Sequence, residues 1–123
     1  TMFNGASNIA QEGGLAALSN TGQKENKKMI AYYMNNAAII KKNLLTLGLK
    51  VFGGENAPYI WVKNPGNLSS WEFFDRLLNE ARVVGTPGSG FGAEGEGYLR
   101  LTAYGHRKDI EKAVKSIREN FKL

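Results

Sequence analysis

A glycine-rich segment followed by a single arginine carries the residue types in this sequence that could bind a ligand. The segment covers residues 86–92 with the sequence TPGSGFG, and Arg100 follows among apolar neighbours. Glycine lets a backbone approach a ligand closely, and arginine grips a carboxylate with two parallel hydrogen bonds. The pattern indicates a site for a small acid, with Phe91 and Tyr98 as apolar walls that exclude water. The alternative, which spacing alone favours, is a surface arginine or a structural salt bridge.

Other candidate groups in this part of the chain are weaker. Residues 88–93 match G-x-G-x-x-A, but a dinucleotide site needs a helix that begins inside the glycines, and Glu94 and Glu96 follow instead. Nothing in the spacing fixes those two glutamates as a glycosidase pair. His106 precedes a predicted helix without a nucleophile or carboxylate partner nearby, so a helix-start role is favoured over that of a catalytic base.

Composition excludes several classes of function. The 123 residues suit one domain, and the absence of cysteine with a single histidine leaves neither thiolate chemistry nor a histidine-rich metal site. No apolar run reaches the roughly 18 to 20 residues of a membrane span, and the N-terminus lacks the pattern of a secretion signal, so we expect no membrane association and a cytoplasmic location. The net charge of +5 is spread over mixed helical faces, which does not favour a nucleic acid partner.

Hydrophobic periodicity predicts helices alternating with short strands. Helices are expected over 8–18, after a break at 19–22 to about 47, behind a capping box at 69–72, and over 107–121. Strands are expected over 49–52 and 57–63 as a hairpin, then over 83–86 and 98–103. The long helix is expected to bury one stripe of side chains, namely Ile30, Tyr33, Ala37, Ile40 and Leu44. Pro58 favours an edge or a bulge at the start of the second strand, and both tryptophans, Trp61 and Trp71, are expected in the core.

This order of elements predicts an α+β fold, an α/β sandwich in which helices cover a small, mostly antiparallel or mixed sheet on one side. In the strand over 98–103, Leu99, Leu101 and Ala103 point one way, and Arg100 points the other with Tyr98 and Thr102. The sequence therefore predicts a buried face and a second face that carries the arginine.

Three motifs together resemble a known family. NAPYIWV at 56–62, VGTPGSGFG at 84–92 and GEGYLRL at 95–101 resemble the C-terminal region of class I and II aminotransferases, fold-type I enzymes that depend on pyridoxal phosphate. The opening FNGASNIAQ at 3–11 and TAYGHR at 102–107 are similar to the narrower family of LL-diaminopimelate aminotransferases. The resemblance covers essentially the whole chain.

The resemblance implies a role for two residues. Arg100 matches the arginine that binds the substrate α-carboxylate, and Asn4 matches an asparagine near cofactor and substrate that is contributed across a homodimer interface. Residues 1–20 would form an interdomain segment and residues 21–123 the small domain. The family transfers an amino group between LL-2,6-diaminopimelate and 2-oxoglutarate in lysine biosynthesis.

The family's Schiff-base lysine lies in a serine-rich motif, and none of the lysines in this sequence lies in such a motif. The chain is therefore expected to be inactive by itself and not to hold the cofactor covalently. Two alternatives stay open: the small domain of another class I or II aminotransferase, and a stand-alone binding module without enzymatic activity.

Overall fold

The structure is a computed structural model that describes residues 5–122, and the chain divides into two compact units, Thr1–Tyr32 and Tyr33–Leu123. In the first unit, helix α1 spans Asn8–Leu18 and helix α2 begins at Asn20. The hydroxyl of Ser7 caps α1 by accepting a hydrogen bond from the amide of Ala10. No residue of this unit between 5 and 32 is buried.

The predicted break at 19–22 is wrong in length, because only Ser19 separates the two helices. Its amide donates to the carbonyl of Leu15, and its hydroxyl accepts from the amide of Gly22 at 3.0 Å. One residue thus ends α1 and satisfies a free amide of α2, so no loop is needed. Ile30 was expected in the buried stripe, but its side chain is 57% exposed.

The second unit continues α2 to Thr46 and adds four strands and two further helices. Its strands are β1 at Val51–Gly53, β2 at Tyr59–Lys63, β3 at Thr86–Pro87 and β4 at Tyr98–Thr102. Its helices are α3 at Ser70–Arg76, which continues as a π-helical turn at Leu77–Ala81, and α4 at Arg107–Asn120. Gly48 ends α2 with a φ of +79°, as predicted for a glycine C-cap.

The sheet is antiparallel throughout, in the order β1-β2-β4-β3. This confirms the predicted α+β fold. Strand alternation separates the two faces as predicted: Leu99 and Leu101 are buried, whereas Arg100 between them lies on the opposite face. The helices cover the buried face, and the core consists of the following side chains: Ala37, Ile40, Leu44, Leu49, Ile60, Val62, Phe73, Leu77, Ala81, Leu99, Leu101, Ala103, Ile110, Val114, Ile117 and Phe121.

Three details of the second unit differ from expectation. The strand predicted over 83–86 is reduced to two paired residues, Thr86 and Pro87, because Arg82 adopts a left-handed conformation that ends the preceding helix and turns the chain. The strand β2 is interior and not the edge that Pro58 was expected to favour. Pro58 lies just before β2, so its missing donor costs no hydrogen bond in the sheet. Trp71 is 60% exposed on α3, and Trp61 lies half-buried on the outer face of the sheet, so neither belongs to the core.

Candidate functional site

Arg100 lies near the middle of β4, on the face of the sheet that the helices leave open. Its partner in the neighbouring strand β2 is Trp61, and Thr86 of β3 is opposite on the other side. Because Leu99 is fully buried beneath it, the strand cannot slip in register without placing an apolar side chain outside. The core therefore fixes the direction in which the arginine points.

Two aromatic rings pack against the guanidinium. The Cζ atom of Arg100 lies 4.3 Å from the ring centroid of Phe91 and 4.6 Å from that of Tyr59. Trp61 extends this aromatic wall, since its ring contacts that of Phe91 edge-on with centroids 5.2 Å apart. Rings at these distances attract the cation and restrict the rotamers of a long side chain.

No carboxylate forms an ion pair with Arg100 within residues 5–122. The ion pairs in this range involve Lys41, Arg76, Lys112 and Lys115 instead. A half-buried guanidinium that is held by rings keeps its donors for another group, and a carboxylate accepts two of them in parallel. The described part of the chain therefore gives no support to the alternative of a structural salt bridge.

A groove of ≈ 390 Å³ runs beside the arginine on the same face of the sheet. Aromatic side chains of three strands and the glycine segment line it, together with one acidic residue: Phe52, Trp61, Phe91, Glu94, Gly95 and Tyr98. Tyr98, which was expected to wall the arginine, instead packs its ring against Phe52 and Trp61. The walls of this groove are mostly apolar.

The glycine segment and the residues after it form two short 3₁₀ turns, Gly88–Phe91 and Ala93–Gly95, before β4 begins at Tyr98. A Cβ atom on Gly88 would lie 2.0 Å from the carbonyl oxygen of Gly95, so these two glycines pack backbone to backbone. Only glycine permits this approach. The segment acts as a compact platform that places the ring of Phe91 on Arg100.

The remaining predicted groups do not join this site as a reactive constellation. Asn4 lies outside the described residues. Glu96 accepts a hydrogen bond from the backbone of Ser70 and so has a local partner. His106 precedes α4 and supplies its carbonyl oxygen to the amides of the first helical turn, as its predicted helix-start role requires.

Between residues 5 and 122, no three acidic, histidine or cysteine side chains come together as metal ligands. No helix in the same range has the length and apolar character that crossing a membrane requires.

Comparison with known proteins adds to this geometry. Residues 1–117 match the model of the family described as aminotransferase class I and II. The chain belongs to this family. The aminotransferase chain is 60% identical over 119 residues to LL-diaminopimelate aminotransferase of Phocaeicola vulgatus, which covers 97% of this chain and 29% of that relative.

Solved aminotransferase structures share the fold. The L,L-diaminopimelate aminotransferase from Chlamydomonas reinhardtii superposes with a TM-score of 0.92 at 49% identity, covering 97% of this chain and 29% of its own. The aromatic aminotransferase from Pyrococcus horikoshii superposes with a TM-score of 0.77 at 30% identity, covering 83% of this chain and 28% of its own. The chain thus spans less than a third of the length of these relatives.

The described residues of the aminotransferase chain do not fit the cofactor that the family implies. A phosphate group is commonly held by backbone amides at the N-terminus of an α-helix. Here the glycine segment is followed by 3₁₀ turns and a strand, and the face around Arg100 offers one guanidinium among rings. The guanidinium of Arg100 could bind a carboxylate, but the glycine segment does not begin an α-helix whose amides could hold the phosphate of pyridoxal phosphate.

Two residues that matter for the site escaped the sequence analysis of this aminotransferase chain. Tyr59 packs on Arg100 from the neighbouring strand, and Asn36 of α2 holds the backbone that leaves β4 by donating to the carbonyls of Ala103 and Gly105. Tyr59 could have been found from alternation, because it shares the outer face with Trp61. Asn36 gave no signal beyond being a polar residue next to a helical stripe.

Proposed function

We propose that the protein carrying this chain is an aminotransferase that transfers an amino group between LL-2,6-diaminopimelate and 2-oxoglutarate, and that Arg100 binds the substrate α-carboxylate. The observation that carries the proposal is the environment of the Arg100 guanidinium. Two aromatic rings hold it in place, and no carboxylate of residues 5–122 forms an ion pair with it. The 60% identity to a diaminopimelate aminotransferase supports the choice of substrate.

The remaining parts of the proposal rest on the family. Pyridoxal phosphate would supply the chemistry of amino transfer. Its binding groups would lie in those parts of the full-length protein that correspond to the unmatched portions of the longer relatives. We further propose that Asn4 contacts substrate and cofactor across a homodimer interface, that the enzyme works in the cytoplasm in lysine biosynthesis, and that residues 1–123 alone have no activity. Residues 1–20 and 21–123 would serve as interdomain segment and small domain.

The test is Arg100→Lys in the full-length protein. A lysine keeps the charge but cannot reproduce the two parallel hydrogen bonds, so one charge-assisted hydrogen bond of roughly 1.5–3 kcal/mol is lost. We expect kcat/KM for diaminopimelate to fall by about 10- to 150-fold. Arg118→Lys is the matched control, since Arg118 is exposed on α4. Unchanged kcat/KM in Arg100→Lys would refute the assignment.

A second candidate is an aminotransferase with another substrate, which the structural similarity to an aromatic aminotransferase favours. Steady-state rates of the full-length protein with diaminopimelate, aspartate, alanine and aromatic amino acids separate the two. We expect diaminopimelate to give the highest kcat/KM. A preference for an aromatic amino acid would select the second candidate, and no turnover of any of them would leave a binding module.

A further inference from the structure

A fully buried serine at the start of α3 is hydrogen-bonded to the loop that precedes β4. The hydroxyl of Ser70 accepts from the amide of Gly97 at 3.2 Å and donates to the carbonyl of Tyr98 at 3.0 Å. The amide of Ser70 donates to Oε1 of Glu96 at 2.7 Å. One residue of the helix thus binds Glu96 and Gly97 of the loop and Tyr98, the first residue of β4.

These bonds are distinct from the cap of the helix. The hydroxyl of the preceding residue, Ser69, accepts from the amide of Glu72, and the carboxylate of Glu72 accepts from the amide and the hydroxyl of Ser69. This reciprocal pair is a capping box that stays within α3. Adjacent serines therefore have separate roles, since Ser69 completes the helix and Ser70 holds the loop.

The tethered loop is the part of the chain that places the ring on the arginine. Arg100 lies two residues beyond Tyr98 in the same strand, so fixing residues 96–98 fixes where β4 begins. Gly88, at the other end of the loop, packs backbone to backbone against Gly95, and the carbonyl of Gly95 lies 3.4 Å from the hydroxyl of Ser70. Phe91 lies between these two glycines, and its ring lies 4.3 Å from the Cζ atom of Arg100.

We propose that Ser70 is a positioning residue for Arg100, acting through the loop of residues 88–98 to hold both the guanidinium and the ring of Phe91 in place. The proposal deepens the proposed function, on which its kinetic consequence rests. Loss of the tether lets the loop and its ring move away from the arginine, so a substrate carboxylate meets a guanidinium that must first be ordered. Such a cost falls on binding in both ground and transition states, which raises KM more than it lowers kcat.

The first test compares Ser70→Ala with Ser69→Ala in the full-length protein. Both variants remove one serine hydroxyl from the same end of α3, but only the first releases the loop. For Ser70→Ala we expect KM for the amino acid substrate to rise about fivefold to tenfold with kcat within about twofold. Ser69→Ala should leave both constants within about twofold. Equal effects of the two variants would overturn the proposal, because they would indicate a loss of helix stability alone.

A second measurement does not depend on turnover. In full-length protein labelled with ¹⁵N-arginine, the Nε–H resonance of Arg100 carries the ring-current shift of Phe91 and Tyr59 and is assigned by its loss in Arg100→Lys. We expect this resonance to move or broaden in Ser70→Ala and to stay in place in Ser69→Ala. An unmoved resonance in Ser70→Ala would refute the positioning role, whatever the substrate is. A moved resonance without transamination of diaminopimelate would refute the proposed function and leave the tether intact.

A second pair of variants guards against misfolding of Ser70→Ala, whose side chain is buried. Glu96→Ala removes the carboxylate that holds the amide of Ser70, whereas Glu94→Ala removes an equal charge from the same loop. Both glutamates are exposed, so both variants should fold. We expect Glu96→Ala to change KM and the Arg100 resonance in the same direction as Ser70→Ala, and the resonance to stay in place in Glu94→Ala. A moved Arg100 resonance in Glu94→Ala together with an unmoved one in Glu96→Ala would overturn the proposal.

Discussion

Asn36 joins helix α2 to the backbone that leaves β4, and its removal should destabilise the fold measurably. The side chain is fully buried, and its Nδ2 donates to the carbonyls of Ala103 at 3.1 Å and Gly105 at 3.0 Å. Its Oδ1 accepts from Nε of Arg107. These three bonds connect residues about 70 positions apart in the chain, so no local contact can replace them.

The expected cost of Asn36→Ala follows from the groups left behind. Ala103 is fully buried, so its carbonyl loses a donor that water cannot replace, at a cost of roughly 1–3 kcal/mol. Gly105 and Arg107 are half-buried and regain part of their hydration, and each adds less. The improved helix propensity of alanine offsets a few tenths of a kcal/mol. We expect the free energy of unfolding to fall by about 2–4 kcal/mol.

Urea unfolding of the 123-residue chain, followed by far-UV circular dichroism, measures this change. Asn35→Ala is the matched control, because Asn35 precedes Asn36 on the same helix but is exposed. The control has the same gain in helix propensity and should stay within about 0.5 kcal/mol of the parent chain. With a urea slope of about 2 kcal/mol per molar, which is usual for a chain of this size, the midpoint of Asn36→Ala should fall by about 1–2 M at an unchanged slope. Coincident midpoints of the two variants would refute the assignment of a stabilising role to the buried amide.

Two further predictions concern the ring on the arginine and the cap of α3. Phe91→Leu keeps an apolar side chain but removes the cation–π contact with Arg100, so KM of the full-length enzyme should rise about twofold to fivefold. Trp71→Leu, at an exposed position of α3, should not change KM. Equal KM values in the two variants would contradict the contact. Hydrogen bonds from Ser69 lower the pKa of the Glu72 carboxyl. That contribution to stability is present above the ordinary pKa of glutamate and is lost as pH falls through the lowered pKa of Glu72. Ser69→Ala should therefore raise the pKa of Glu72 in a ¹³C NMR titration. An unshifted titration curve would contradict the cap.

The sequence was most informative where short-range rules act. The capping box of Ser69 and Glu72, the glycine end of α2 at Gly48 and the alternation around Arg100 were all predicted, because each depends on residues within four positions of one another. The boundaries failed where tertiary contacts decide. The predicted strand over 83–86 needed partners along its whole length, and only Thr86 and Pro87 pair with β4.

The environment of Arg100 was only half predictable for the same reason. Phe91 is near in sequence and was named as a wall, whereas Tyr59 reaches the guanidinium only through the pairing of β2 with β4. Ser70 was even further from prediction, because a serine after a capping serine looks like an ordinary first-turn residue. Its burial and its bonds to residues 97 and 98 exist only once α3 lies against the loop before β4.

The arrangement gives a physical reason why an arginine that we propose to bind a carboxylate lies on a strand and not on a loop. The core fixes the register of β4 through Leu99, and the tether from Ser70 fixes its first residues. The rings of Phe91 and Tyr59 then restrict the side chain. Each restriction removes conformational freedom before ligand arrives, and this entropy would otherwise oppose binding at about 0.5–1.5 kcal/mol for one long side chain. A guanidinium ordered in this way can donate two parallel hydrogen bonds to a carboxylate at a lower entropic cost than an exposed arginine on a flexible loop.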